Sequence, residues 1–86
     1  MKIDKNAQLK VIARAPFNVY YEGPAKFVSA QNRIGTFDVL PGHADFFSVM
    51  TPGDVRIETD TDTITFTING GIVGVRGDEV MLFVNM

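Results

Sequence analysis

Between residues 55 and 70 the chain reads VRIETDTDTITFTING, and apolar and polar side chains take turns almost without a break. Ile57 and then Ile64, Phe66 and Ile68 fall on one side, with Thr63, Thr65 and Thr67 on the other. Successive strand side chains point to opposite faces, so a period of two built from β-branched and aromatic residues marks half-buried strand. The TDTD segment at 59–62 interrupts the alternation midway and predicts a hairpin tip. The same period recurs in LKVIARA, where Leu9, Val11 and Ala13 share a face. AKFVSA continues it, and GIVGVRGDEVMLFV predicts two further strands around a Gly77-Asp78 turn, a favoured hairpin connection.

Breakers punctuate the chain roughly every ten residues: Pro16, Gly23-Pro24, Gly35, Pro41-Gly42, Pro52-Gly53, Asn69-Gly70-Gly71 and Gly77. No window carries an apolar stripe at helical spacing, and HADFFSVM alone reads as either a helical turn or a strand. The pattern predicts an all-β fold, a small antiparallel β-sandwich of about ten short strands. It is expected to form a single domain over residues 1–86, with no helix longer than two turns and no C-terminal helical hairpin. Phe27, Ile57, Phe66 and Ile68 are the expected core residues.

Composition narrows function by exclusion. A formal charge of −2 supplies no basic field for nucleic acid. The absence of cysteine removes disulfides, thiolate nucleophiles and Cys-ligated metal sites. Apolar runs fall far short of the ~20 residues that span a bilayer, so no direct membrane insertion is expected. Residues 1–10 hold three lysines and no apolar run, unlike a secretory signal. An internal, soluble location is therefore the expectation.

The single histidine, His43, lies in FDVLPGHADFF with Asp38 and Asp45 beside it and Ser48 close by. A catalytic imidazole needs an orienting carboxylate, a group to act on and a stabilised oxyanion, and no nucleophile elbow is present. A metal would need further nitrogen ligands. The acidic residues 58–63 faintly suggest a calcium loop. Counted from Asp60, however, the sixth position is Thr65 and the twelfth Gly71, where glycine and a bidentate glutamate are required. Gly70, Gly71, Gly74 and Gly77 lie within and between strands rather than opening a helix, and no Walker lysine follows. They are better read as bulges, tight turns or close backbone approaches. The residues favour a binding or structural module with no catalytic residue, metal, cofactor or small-molecule substrate.

Four pieces occur in a recognisable order: VIARAPFNVYYEGPAKFVSA, GTFDVLPGHADFFSVMTPGDVRI, INGGIVGV and GDEVMLFV. Together, over about residues 8–84, they resemble the N-terminal β-sandwich of the epsilon subunits of rotary F-type ATP synthases (delta in mitochondria). The most specific piece is Leu-Pro-Gly-His-Ala at its fixed distances from the downstream Pro-Gly and Gly-Gly. The resemblance implies a non-catalytic subunit of the rotor's central stalk, coupling gamma to the membrane c-ring. It implies a peripheral place on the cytoplasmic side of the inner or plasma membrane. It assigns Gln31, Asn32, Arg33 and Thr36 to the c-ring contact, and Pro41, Gly42, His43 and Asp45 to the gamma contact.

Three departures qualify the likeness. Many members carry an acid at the position of Thr36, whereas here Asp38 follows two residues on. Arg33 lies in a loop that in the family meets often basic ring loops, so an attractive pairing does not follow. The two-helix hairpin that follows the sandwich in most members has no counterpart in these 86 residues, so neither inhibition nor ATP binding is implied. The alternative reading is a free-standing β-sandwich that binds a small molecule or peptide through its loops.

Overall fold

Each predicted alternation is a strand in the computed structural model, which describes residues 8–86; most of the stretch 1–10 read above lies outside the described residues. Nine strands follow one another: β1 Leu9–Arg14, β2 Val19–Ala25, β3 Phe27–Asn32, β4 Gly35–Val39, β5 Phe46–Met50, β6 Gly53–Glu58, β7 Thr63–Ile68, β8 Gly70–Arg76 and β9 Glu79–Asn85. The ambiguous HADFFSVM resolves as β5, and no helix occurs among the described residues.

The strands form two sheets, one ordered β2-β1-β9-β8-β5 and the other β4-β3-β6-β7. All neighbours are antiparallel except β1 and β9, which pair in parallel from Lys10 opposite Glu79 to Arg14 opposite Phe83. Pro24, which has no N–H to give a ladder, is accommodated in edge strand β2.

Between the sheets lies one apolar core. Leu9, Val11, Val73, Val80 and Leu82 face Val28, Val39, Val55 and Ile57, all at most 1% exposed. Two aromatic pairs close its flanks. Tyr20 of β2 stacks on Phe66 of β7 with ring centroids 5.7 Å apart, and Phe37 of β4 meets the edge of Phe46 of β5 at 5.3 Å. At Gly71 the backbones approach so closely that a Cβ would lie 2.1 Å from the Phe83 carbonyl oxygen. This bears out the close-approach reading of that glycine.

The expected core needs one correction. Ile57 and Ile68 are buried, and Phe66 is half-buried against the core. Phe27 faces outward, because Val28 and Ala30 fill the inner side of β3. Its ring carries the Arg56 guanidinium at 5.4 Å instead.

The sandwich has two ends. One carries the β1–β2 and β3–β4 turns, the other the β4–β5 loop and the β6–β7 and β8–β9 turns.

Candidate functional site

The β3–β4 hairpin turns on two residues, Arg33 and Ile34. Asn32 holds it: its Oδ1 accepts the backbone N–H of Ile34 at 2.9 Å and of Gly35 at 3.3 Å, the self-bonding turn that asparagine favours. Its Nδ2 donates to Ser48 Oγ on β5 at 3.3 Å, and the Gln31 carbonyl accepts the Thr51 N–H at 3.0 Å. The tip is thus tied to the other sheet. Gln31 and Asn32 are half-buried, while Arg33, Ile34 and Thr36 are exposed. Asp38 is exposed on the same outer face of β4 as Thr36.

The other predicted group lies five residues further along, at the far end of β4. The Leu40 carbonyl accepts the His43 N–H at 3.0 Å, with Pro41 and Gly42 at the centre of the turn. Gly42 has φ of 84°, the value a type II turn requires at its third position and one that side chains disfavour. Pro41 is buried, whereas Gly42, His43 and Asp45 are exposed. The His43 Nδ1 lies 2.7 Å from the Ala44 carbonyl oxygen, and its ring meets the edge of Phe46 with centroids 5.5 Å apart. Asp45 Oδ1 accepts the Gly77 N–H at 2.9 Å, fastening the loop to the β8–β9 turn. Of the groups in a Ser-His-Asp reading, Ser48 is engaged with Asn32, His43 with Ala44 and Asp45 with Gly77, while Asp38 stands exposed on the outer face of β4. The two predicted groups form two clusters at opposite ends of the domain.

Sequence reasoning missed a third surface, the outer face of the five-stranded sheet. Its registers set Arg14, Phe83, Ile72 and Val49 side by side across β1, β9, β8 and β5. The next row is Ile12, Met81, Gly74 and Phe47, and a charged row of Lys10, Glu79 and Arg76 closes the face toward the His43 end. Phe47, Val49, Ile72, Met81 and Phe83 are all between 42% and 69% exposed. Gly74 leaves room for a shallow trough of about 410 Å³ between Ile12, Glu22, Arg76 and Met81. Contiguous exposed apolar side chains of this kind, rimmed by charge, are characteristic of interaction sites. The signal for it was the unbroken VMLFV, since strands covered on both faces lose their alternation.

A family model described as "ATP synthase, Delta/Epsilon chain, beta-sandwich domain" matches residues 8–86. The chain belongs to this family. The ATP synthase epsilon chain of Desulforudis audaxviator is 35% identical over 79 residues, covering 92% of this chain and 58% of that protein. The epsilon chain of Synechococcus elongatus is 31% identical over 77 residues, covering 90% and 56% respectively. This delta/epsilon-type chain thus spans between half and two thirds of the length of those relatives. Its fold is shared by a chain of the Euglena gracilis mitochondrial ATP synthase, solved as OSCP/F1/c-ring, with TM-score 0.87, 18% identity and coverage of 100% of this chain and 56% of that one. A chain of the Tetrahymena thermophila mitochondrial ATP synthase central stalk and c-ring aligns with TM-score 0.80 at 18% identity, covering 96% and 67%.

Proposed function

We propose that this delta/epsilon-type sandwich is a non-catalytic rotor element of an F-type ATP synthase, joining gamma to the c-ring in the central stalk. One observation carries the reading: the apolar outer face of the five-stranded sheet, with Phe47, Val49, Ile72, Met81 and Phe83 exposed on a domain of this family. A face of that kind is suited to a permanent partner, because obligate interfaces are the more apolar ones. Gamma is assigned to this face. The loop with Pro41, Gly42, His43 and Asp45 borders it through Phe46 and Gly77.

The β3–β4 tip, with Gln31, Asn32, Arg33 and Thr36, is assigned to the c-ring at the other end. Coupling of rotation then runs through the sandwich itself. The Asn32–Ser48 and Gln31–Thr51 bonds link the tip to β5, which carries Phe47 and Val49. Torque taken up at one surface reaches the other through close-packed strands rather than a flexible loop. The role needs no catalytic group, metal, cofactor, nucleic acid or small-molecule substrate. It places the chain peripherally, on the cytoplasmic side of the membrane; no described helix is long and apolar enough to cross one.

Cysteine scanning in an assembled complex tests this, helped by the absence of native cysteine. Cysteine at positions 43 and 47 should crosslink to gamma, and at 33 or 36 to the ring loops. Crosslinking of position 60 to the ring, from the opposite end, would reverse the orientation. Failure of the chain to co-purify with gamma at all would favour the free-standing binding module.

A further inference from the structure

The two sheets leave four strand edges, β2 and β5 in one, β4 and β7 in the other. An edge presents unpaired N–H and C=O groups, and folded proteins blunt it with charge, proline, short length or cover. Three of these edges are blunted. β2 carries Glu22 and Pro24, β4 is five residues long and carries Asp38, and the end of β5 is strapped to β3 by the Asn32–Ser48 and Gln31–Thr51 bonds. β7 has none of these devices. Its six residues, TITFTI, hold no charge, no proline and no glycine, the composition of segments that pair with their own kind. Among the described residues, no strand pairs with its outer side.

The register shows which groups that edge offers. In an antiparallel pair, residues that exchange backbone hydrogen bonds alternate with residues that do not. At the β6–β7 tip the Thr59 N–H donates to the Asp62 carbonyl at 2.8 Å. Along the ladder from there, Glu58 and Thr63 form a non-bonded pair, Ile57 and Ile64 a bonded one, and the alternation runs on to Gly53 and Ile68. The Glu58 carbonyl agrees with this, since it turns away from β7 and accepts the Lys26 N–H at 2.7 Å. The backbone N–H and C=O groups of Thr63, Thr65 and Thr67 therefore point outward, away from β6. Their side chains are exposed, and Ile64 and Phe66 between them are only half-buried.

This edge fits a second copy of itself. With Thr65 on a two-fold axis, Thr63 lies opposite the partner's Thr67, and Ile64 opposite the partner's Phe66. The outward amides and carbonyls then satisfy one another, threonine faces threonine on the outer side, and Ile64 and Phe66 meet on the inner side. Charge favours the same orientation. In an antiparallel pair the acidic end of one copy, with Glu58, Asp60 and Asp62, runs along the end of the other that carries Arg14 and Arg33. The edge of a second copy is also extended already, whereas a loose peptide must be ordered on binding.

We infer that β7 is a self-association edge, through which two copies of the free chain join their four-stranded sheets into one. The pairing lies on the flank of Tyr20 and Phe66, away from the Phe37–Phe46 flank and the His43 loop. It is therefore independent of the rotor assignment and leaves the apolar outer face open. A single strand pair makes a small interface, so the dimer is weak and forms as concentration rises.

Sedimentation of the full chain over a concentration series tests this, and the expected result is a passage from monomer to dimer. Thr65→Pro removes an outward N–H without breaking the β6 ladder and should weaken dimerisation about tenfold. Thr65→Lys sets two lysines face to face on the axis and should weaken it at low salt and less at high salt. Both variants, when dilute, should unfold in urea close to the parent's midpoint. On mild oxidation Thr65→Cys should give a disulfide-linked dimer, and Asp38→Cys, on the opposite flank, should not. A chain that stays monomeric up to about 1 mM would overturn the proposal. So would a dimer that survives Thr65→Pro and is lost in Ile72→Ser with Phe83→Ser, because the contact would then lie on the apolar face. Amide exchange at Thr63, Thr65 and Thr67 that slows on mixing with gamma, but not on concentrating the chain alone, would give the edge to gamma and overturn it as well.

Discussion

The two sheets present opposite outer faces built by the same alternation. On the four-stranded sheet Thr63, Thr65 and Thr67 stand beside Glu58, Arg56 and Asp54, and two of the three pairs are hydrogen-bonded. Thr67 donates to Asp54 at 2.7 Å, and Thr63 donates to Glu58. On the five-stranded sheet the corresponding positions hold Phe47, Val49, Ile72, Met81 and Phe83. Burial inside the sandwich constrains only the inner set of each strand. The outer set is free to record whether water or another protein covers the face.

The sharpest way to test that division is to strike adjacent residues on β9. Leu82→Ala, on the inner side, should cost about 2–5 kcal/mol, much of the stability of a domain this small, measured by urea unfolding. Next, Phe66→Ala should cost roughly 2–3 kcal/mol, below the range for a fully buried phenylalanine because the ring is only half-buried against Tyr20. A melting temperature that does not move would show that the Tyr20–Phe66 flank contributes nothing. The outer face should behave in the reverse manner. Ile72→Ser with Phe83→Ser should leave urea unfolding within about 1 kcal/mol of the parent and weaken gamma capture at least tenfold, or about 1.4 kcal/mol. Equal losses in folding and capture would mean that this face is ordinary structure. Phe27→Ala removes a half-buried, outward ring and its cation–π contact with Arg56 and should cost about 1 kcal/mol. The smallest effect is expected for Thr65→Val on the polar face, within about 0.5 kcal/mol in unfolding and without change in capture of either partner.

Much of the fold was legible because strand alternation is local. It located both halves of the β6–β7 hairpin, the β8–β9 turn and the inner face of β1. Phe27 was misplaced because it neighbours Val28 and is the larger residue. The better signal was the whole strand: Phe27, Ser29 and Gln31 form a mixed set, whereas Val28 and Ala30 form an apolar one. The parallel pairing of β1 with β9 was not legible, since nothing in either strand encodes a partner some seventy residues away. Of the candidate surfaces, the polar residues of the β3–β4 tip and the His43 loop were found through the resemblance. Ile34 was passed over between Arg33 and Gly35, although an apolar residue in a two-residue turn has no core within reach. The apolar outer face was passed over because its strands were read only for the residues they bury.

The parallel β1–β9 pair also sets the order of events on the ribosome. Lys10 must wait for Glu79 before its ladder can form. At about 5–20 residues per second, synthesis of the intervening chain takes roughly 3–14 s. During that interval β1 has only the β2 hairpin beside it, and Leu9, Val11 and Ala13 have no completed sheet to close over them. The central gap of the five-stranded sheet is filled last. A nascent chain stalled before β9 therefore exposes two unpaired strand edges, those of β1 and β8, at once. Such edges are the surfaces on which unfinished β proteins aggregate, so the vulnerable moment for this molecule comes just before its last strand arrives.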